Sequence, residues 1–159
     1  MVNHQAVQTV CPMTKAEAIQ QLVRELLKVA GGELDINVGE QLLDPAVLMH
    51  MSGLSLKGRK GWRTFIRYVR WKRGKAGLHL RYDRVEVDGD LATFYGQWQS
   101  EHGELIMPNV EAVFRIEGDR VMEIWSKPSN YVALFGERIL SFWGFRMFAL
   151  RAFLWSRFN

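Results

Sequence analysis

Residues 78–126 read LHLRYDRVEVDGDLATFYGQWQSEHGELIMPNVEAVFRIEGDRVMEIWS. β-Branched and aromatic residues dominate the stretch, and apolar and polar positions alternate along it as they do in half-buried strands. Asp88-Gly89-Asp90, His102-Gly103-Glu104 and Gly118-Asp119 interrupt the pattern with turn residues. Asp-Gly between alternating runs is a strong hairpin signal. The runs 78–87, 91–101, 105–117 and 120–126 therefore predict four strands joined by short turns. Such a chain can only meander antiparallel, and strands of this length twist and curl.

The residues before the meander are helical. Thr14-Lys15-Ala16-Glu17 has the form of a capping box; Ile19, Leu22, Val23, Leu26 and Leu27 follow at helical spacing, and Gly31-Gly32 stops them. A shorter helix is expected over 36–43, broken by Asp44-Pro45. Residues 46–51 read as a short buried strand, and Gly53 and Gly58 bracket a loop. A second strong helix is expected over 59–73. Trp62, Phe65, Ile66 and Val69 share one side of it, while Arg59, Lys60, Arg63, Arg67, Arg70 and Arg73 share the other. Helices followed by a meander make an α+β pattern: helices packed on a strongly curved antiparallel sheet around one pocket.

Composition fits one domain over residues 1–159, with a core at about 14–136. An apolar fraction of 48% with 24% charged residues is that of a globular chain. The single cysteine, Cys11, cannot pair within the chain, which favours a reducing, cytoplasmic location. Residues 1–14 lack a basic stretch followed by an apolar one, so no secretory signal is expected. The net charge of +4 is unevenly spread: no acid lies between Asp44 and Asp83 or after Glu137. Residues 138–158 form an expected extra C-terminal amphipathic helix, aromatic and basic. Phe142, Trp143, Phe145, Phe148, Phe153, Trp155 and Phe158 are accompanied by Arg138, Arg146, Arg151 and Arg157. Such a helix either touches a membrane surface peripherally or buries its apolar side on this protein or a partner.

Met49-His50-Met51-Ser52-Gly53-Leu54, then Lys57-Gly58 and Gly61 before a helix, resembles the opening of SnoaL-like proteins. Asp88-Gly89-Asp90, the run from Phe114 to Val121, and Glu123-Ile124-Trp125 resemble their sheet. These proteins belong to the nuclear transport factor 2-like superfamily, with a cystatin-like architecture, alongside ketosteroid isomerase and scytalone dehydratase. The resemblance covers about residues 14–136. It implies a cone-shaped α+β barrel with an interior pocket, and a homodimer formed through the sheet. In the cyclases an acidic residue closely follows the tryptophan of the last strand. Here Trp125 is followed by Ser126-Lys127-Pro128-Ser129-Asn130, with no carboxylate, which counts against cyclase chemistry of the usual kind.

The same resemblance places His50 where the isomerases have their general-base aspartate, so His50 is the candidate catalytic acid/base. An imidazole can shuttle protons near neutral pH. The alternative is a histidine hydrogen-bonded at a strand end. Glu111 stands in the apolar run 108–114, where it either faces a pocket with a raised pKa or turns outward toward Arg115. The isomerases' acidic hydrogen-bond donor falls nearest Ala112, one residue away, which favours the outward alternative. Trp98, Trp125, Tyr82 and Tyr131 are the expected aromatic lining; core packing is the alternative for each. Asp83 and His102 are weaker candidates.

No metal-ligand spacing, phosphate-cradling loop or nucleophile elbow is present, and no cofactor is expected. The basic face of the helix lacks interleaved aromatics apart from Trp71 near its edge, so a nucleic-acid partner is not expected. Two functional classes stay open. One is a SnoaL-like pocket protein for a small apolar molecule, as an isomerase, dehydratase or cyclase acting through His50. The other is a noncatalytic ligand-binding or interaction module, associated with a membrane surface through its C-terminal helix.

Overall fold

The computed structural model describes residues 13–51 and 54–127. The first helix, α1 (Lys15–Gly31), starts with the expected capping box: the Thr14 hydroxyl accepts from the Glu17 amide, and the Glu17 carboxylate accepts from the Thr14 amide at 2.8 Å. It ends at Gly32, whose φ of 82° is the left-handed conformation that glycine adopts without steric cost. α2 (Ile36–Gln41) is capped by Asp35, whose side chain accepts from the Asn37 amide. It stops before residue 43 because β1 (Leu43–Met51) begins there, three residues ahead of the expected strand. Pro45 is accommodated within a break in the ladder: Leu43 pairs with Val121, and pairing resumes only at Leu48.

The segment expected to be a loop forms β2 (Leu54–Lys57), which closes an antiparallel hairpin on β1. Next comes α3 (Gly58–Ala76), longer than expected by one residue at its start and three at its end. The meander is as the sequence indicates: β3 (Leu78–Asp88), β4 (Leu91–Ser100), β5 (Leu105–Glu117) and β6 (Arg120–Ser126), each antiparallel to the next.

The six strands form one curved, unclosed sheet in the order β2-β1-β6-β5-β4-β3. One pairing departs from the expected all-antiparallel arrangement, because β1 lies parallel to β6. β1 and β6 are separated in sequence by β2, α3 and most of the meander, so no local turn signal could announce the pair.

The curvature has local causes. Register shifts at Tyr82/Arg84 and at Gly96/Trp98/Gln99 bend the long strands. At the same bend Gly96 lets backbones approach; a Cβ there would lie 2.5 Å from the Arg81 carbonyl oxygen. Along β4, Ala92, Phe94, Gly96 and Trp98 are buried on the inner face, while Thr93, Tyr95 and Gln97 face outward. Val23, Leu27, Trp62 and Phe65 from α1 and α3 join that inner face in one core.

The arginines of α3 are mostly engaged within the fold. Arg59 donates to the Leu43 carbonyl, Arg63 pairs with Glu40 and reaches Asn37, and Arg70 donates to the carbonyls of Val29 and Leu34. Burial, then the neighbouring charge of Arg73, lowers the pKa of the Arg70 guanidinium. The basic face read from the sequence thus ties α3 to the end of α1 and to α2. Lys60 and Arg67 remain exposed.

Candidate functional site

Where the inner face of the bent sheet separates from the helices, it leaves a cavity of about 110 Å³. The helical wall comes from α1 (Leu26, Leu27, Ala30) and from the apolar stripe of α3 (Trp62, Phe65, Ile66, Val69). The sheet wall is Met49 of β1, Leu80 of β3, Phe94 and Trp98 of β4, Val110, Ala112 and Phe114 of β5, and Ile124 and Ser126 of β6. Among the described residues the lining holds no ionisable side chain. Its polar side-chain groups are the Ser126 hydroxyl and the indole N–H groups of Trp62 and Trp98.

The expected site residues divide between the two faces of the sheet. Trp98 is 6% exposed and lines the cavity as expected. Tyr82 packs against the core on the inner side but outside the cavity lining. His50 and Trp125 do not share the cavity, and that expected placement is corrected by strand alternation. Val47, Met49 and Met51 of β1 point inward, so His50 points outward. Its register partner on β6 is Trp125, 36% exposed on the same outer face.

The two rings stack at 5.4 Å between centroids and 16° between planes. His50 Nδ1 lies 3.1 Å from Ser55 Oγ, and Nε2 lies 3.7 Å from Glu123 Oε2. The histidine therefore joins β1, β2 and β6 across their outer surface, as the strand-end alternative had it. Glu111 is also outward, ion-paired with Lys127. Arg115 bridges Glu117 and Glu123, and hydrogen bonding to Glu123 raises its pKa. Tyr131 and the helix expected at 138–158 lie outside the described residues.

Ser126 and the helix residues of the lining were not singled out as site residues. The α3 stripe was legible as an apolar face, but periodicity does not distinguish a face that meets its partner from one that leaves a gap. Ser126 bore a visible signal, a hydroxyl two residues beyond buried Ile124 on the same side of a strand.

A curved sheet clasping two long helices over an apolar cavity defines a cone-shaped α+β pocket fold. It is the fold of the nuclear transport factor 2-like superfamily. A candidate SnoaL-like polyketide cyclase from Jannaschia sp. matches with a TM-score of 0.54 at 16% identity, covering 72% of this chain and 88% of that one. A nuclear transport factor 2-like protein of unknown function from Cytophaga hutchinsonii gives 0.53 at 14% identity, covering 68% and 96%. A de novo designed protein with a curved β-sheet gives 0.62 at 16% identity, covering 84% and 99%. No protein-family model and no curated protein matches the sequence. At these identities the likeness concerns the fold, which hosts unrelated functions. No helix among the described residues is long and apolar enough to cross a membrane.

Proposed function

We propose that this protein binds a compact apolar molecule of about one ring in the cavity between its sheet and helices. The supporting observation is the lining, which among the described residues is apolar except for the Ser126 hydroxyl and the indole N–H groups of Trp62 and Trp98. Desolvating a charge there, with no partner, would cost several kcal/mol (order of magnitude), whereas apolar surface gains ~25 cal/mol per Å² buried. At about 110 Å³ the cavity is somewhat smaller than the ~150 Å³ apolar cavity known to accept benzene. It is well below the ~300–1,000 Å³ of sites for drug-sized ligands.

The binding reading is favoured over acid/base catalysis by His50, because the sheet separates that imidazole from a molecule in the cavity. Titration with benzene, followed by calorimetry or by chemical shifts of the lining methyl groups, tests the proposal. Saturable binding is expected, and Ala112→Leu, which fills the lining, should abolish it. Absence of saturable binding to the wild-type protein would refute the reading.

A homodimer through the outer face of the sheet accords with that face. Exposed Trp125 is surrounded by charges already paired with one another, Arg115 with Glu117 and Glu123, and Lys127 with Glu111. Pairing within the chain lowers the cost of covering such charges on association.

A further inference from the structure

We propose that Ser126 is the specificity residue of the cavity, and that the natural occupant is a one-ring-sized apolar molecule bearing a single hydroxyl or carbonyl. The inference rests on the binding reading above and refines it. Ser126 is the one hydroxyl among the described lining residues, on a wall whose other side chains are aliphatic, thioether or aromatic. The indoles of Trp62 and Trp98 can only donate, so it is the one side-chain group there that both donates and accepts strongly. It lies beside Ala112 in the β5–β6 register, and Ala112 lies beside Phe94 in the β4–β5 register. All three line the cavity, so the hydroxyl is followed across the sheet by a methyl group and then by a ring.

The short Ala112 side chain leaves room beside the hydroxyl. A serine hydroxyl offers one donor and two acceptor sites, so a bond to the protein leaves capacity for one to a ligand. In a low-dielectric enclosure such a bond is stronger than in water, and a ligand polar group buried without it bears the desolvation cost alone. A lone hydroxyl in a largely apolar wall also gives a small ring one preferred orientation, as sparse polar groups do in apolar sites generally.

Benzene and phenol, which differ by one hydroxyl, are the probes. They are titrated by calorimetry into the full-length wild-type protein, Ser126→Ala and Ser126→Thr. Phenol is expected to bind more tightly than benzene to the wild type. Ser126→Ala should weaken phenol roughly tenfold while leaving benzene within about twofold. Ser126→Thr, which keeps the hydroxyl, should restore the preference for phenol and so separates loss of the group from loss of the fold. If benzene binds but the phenol-to-benzene ratio is the same in the wild type and Ser126→Ala, the specificity role is overturned while the binding reading stands. If neither probe saturates the wild type, the binding reading fails and this inference fails with it.

Discussion

Gly39 shows how one missing methyl group shapes the site. A Cβ built on it would lie 2.4 Å from Trp62 Cη2 and 3.0 Å from a Val29 methyl carbon. Trp62 is 3% exposed and forms part of the cavity wall, so it has little room to withdraw. Gly39→Ala would gain at most about 1 kcal/mol of helix propensity, against roughly 1–3 kcal/mol for overpacking the core. The steric term is expected to win: urea denaturation should show a net loss of stability, and benzene affinity should fall as the indole shifts toward the cavity. An unchanged urea midpoint would contradict this. The outward turn of His50 also belongs to the residue scale. The sequence offered an imidazole beside a buried strand, but facing is set by register, and a shift of one residue exchanges inside for outside.

Between elements, arginines and one exposed ion pair join the helices to their surroundings. Arg70→Met keeps the aliphatic stem but deletes the guanidinium that bonds the Val29 and Leu34 carbonyls. Removing a charged donor from part-buried carbonyls costs about 1–3 kcal/mol, which should appear as a lower thermal midpoint. Arg70→Lys should rescue only partly, because an ammonium cannot reproduce the fork. At the other end of α1, Lys15 donates to Asp90 at 2.7 Å, tying the helix start to the β3–β4 turn. That hydrogen bond, then the lysine charge, holds the Asp90 pKa below its ordinary value. A depressed carboxylate pKa gives stability that is present above the unfolded pKa, about 3.9, and lost as pH falls through the folded value. The gap in thermal midpoint between wild type and Asp90→Asn should therefore be present at pH 6 and close under acid conditions below pH ~4. A gap that persisted unchanged to the acid limit would show that the pair is not its source. Both groups are largely exposed, so salt should shrink the gap as well.

For the whole molecule, the proposed homodimer places Trp125 at a contact between copies. Trp125→Glu would put a second carboxylate near Glu123 on both subunits and should yield a monomer in sedimentation at micromolar concentration. Because Trp125 and the cavity are on opposite faces, benzene binding should survive the substitution. A wild-type protein that sediments only as a monomer at that concentration would remove the proposal.

The four strands of the meander, their turns, the capping box of α1 and the apolar stripe of α3 were legible in the sequence, because each rests on neighbours within a few residues. Alternation and helical period are local properties, and turn residues mark where they change. The parallel pairing of β1 with β6, the strand β2 within the expected loop, and the facing of His50 and Glu111 were decided by tertiary structure. Each depends on which distant strand supplies the register. A pocket was expected from the sequence, but its walls were not: apart from Trp98 and Ser126 the lining residues read as ordinary core, and the bend at the Gly96 bulge, set against two long helices, determines where their apolar faces do not fully meet.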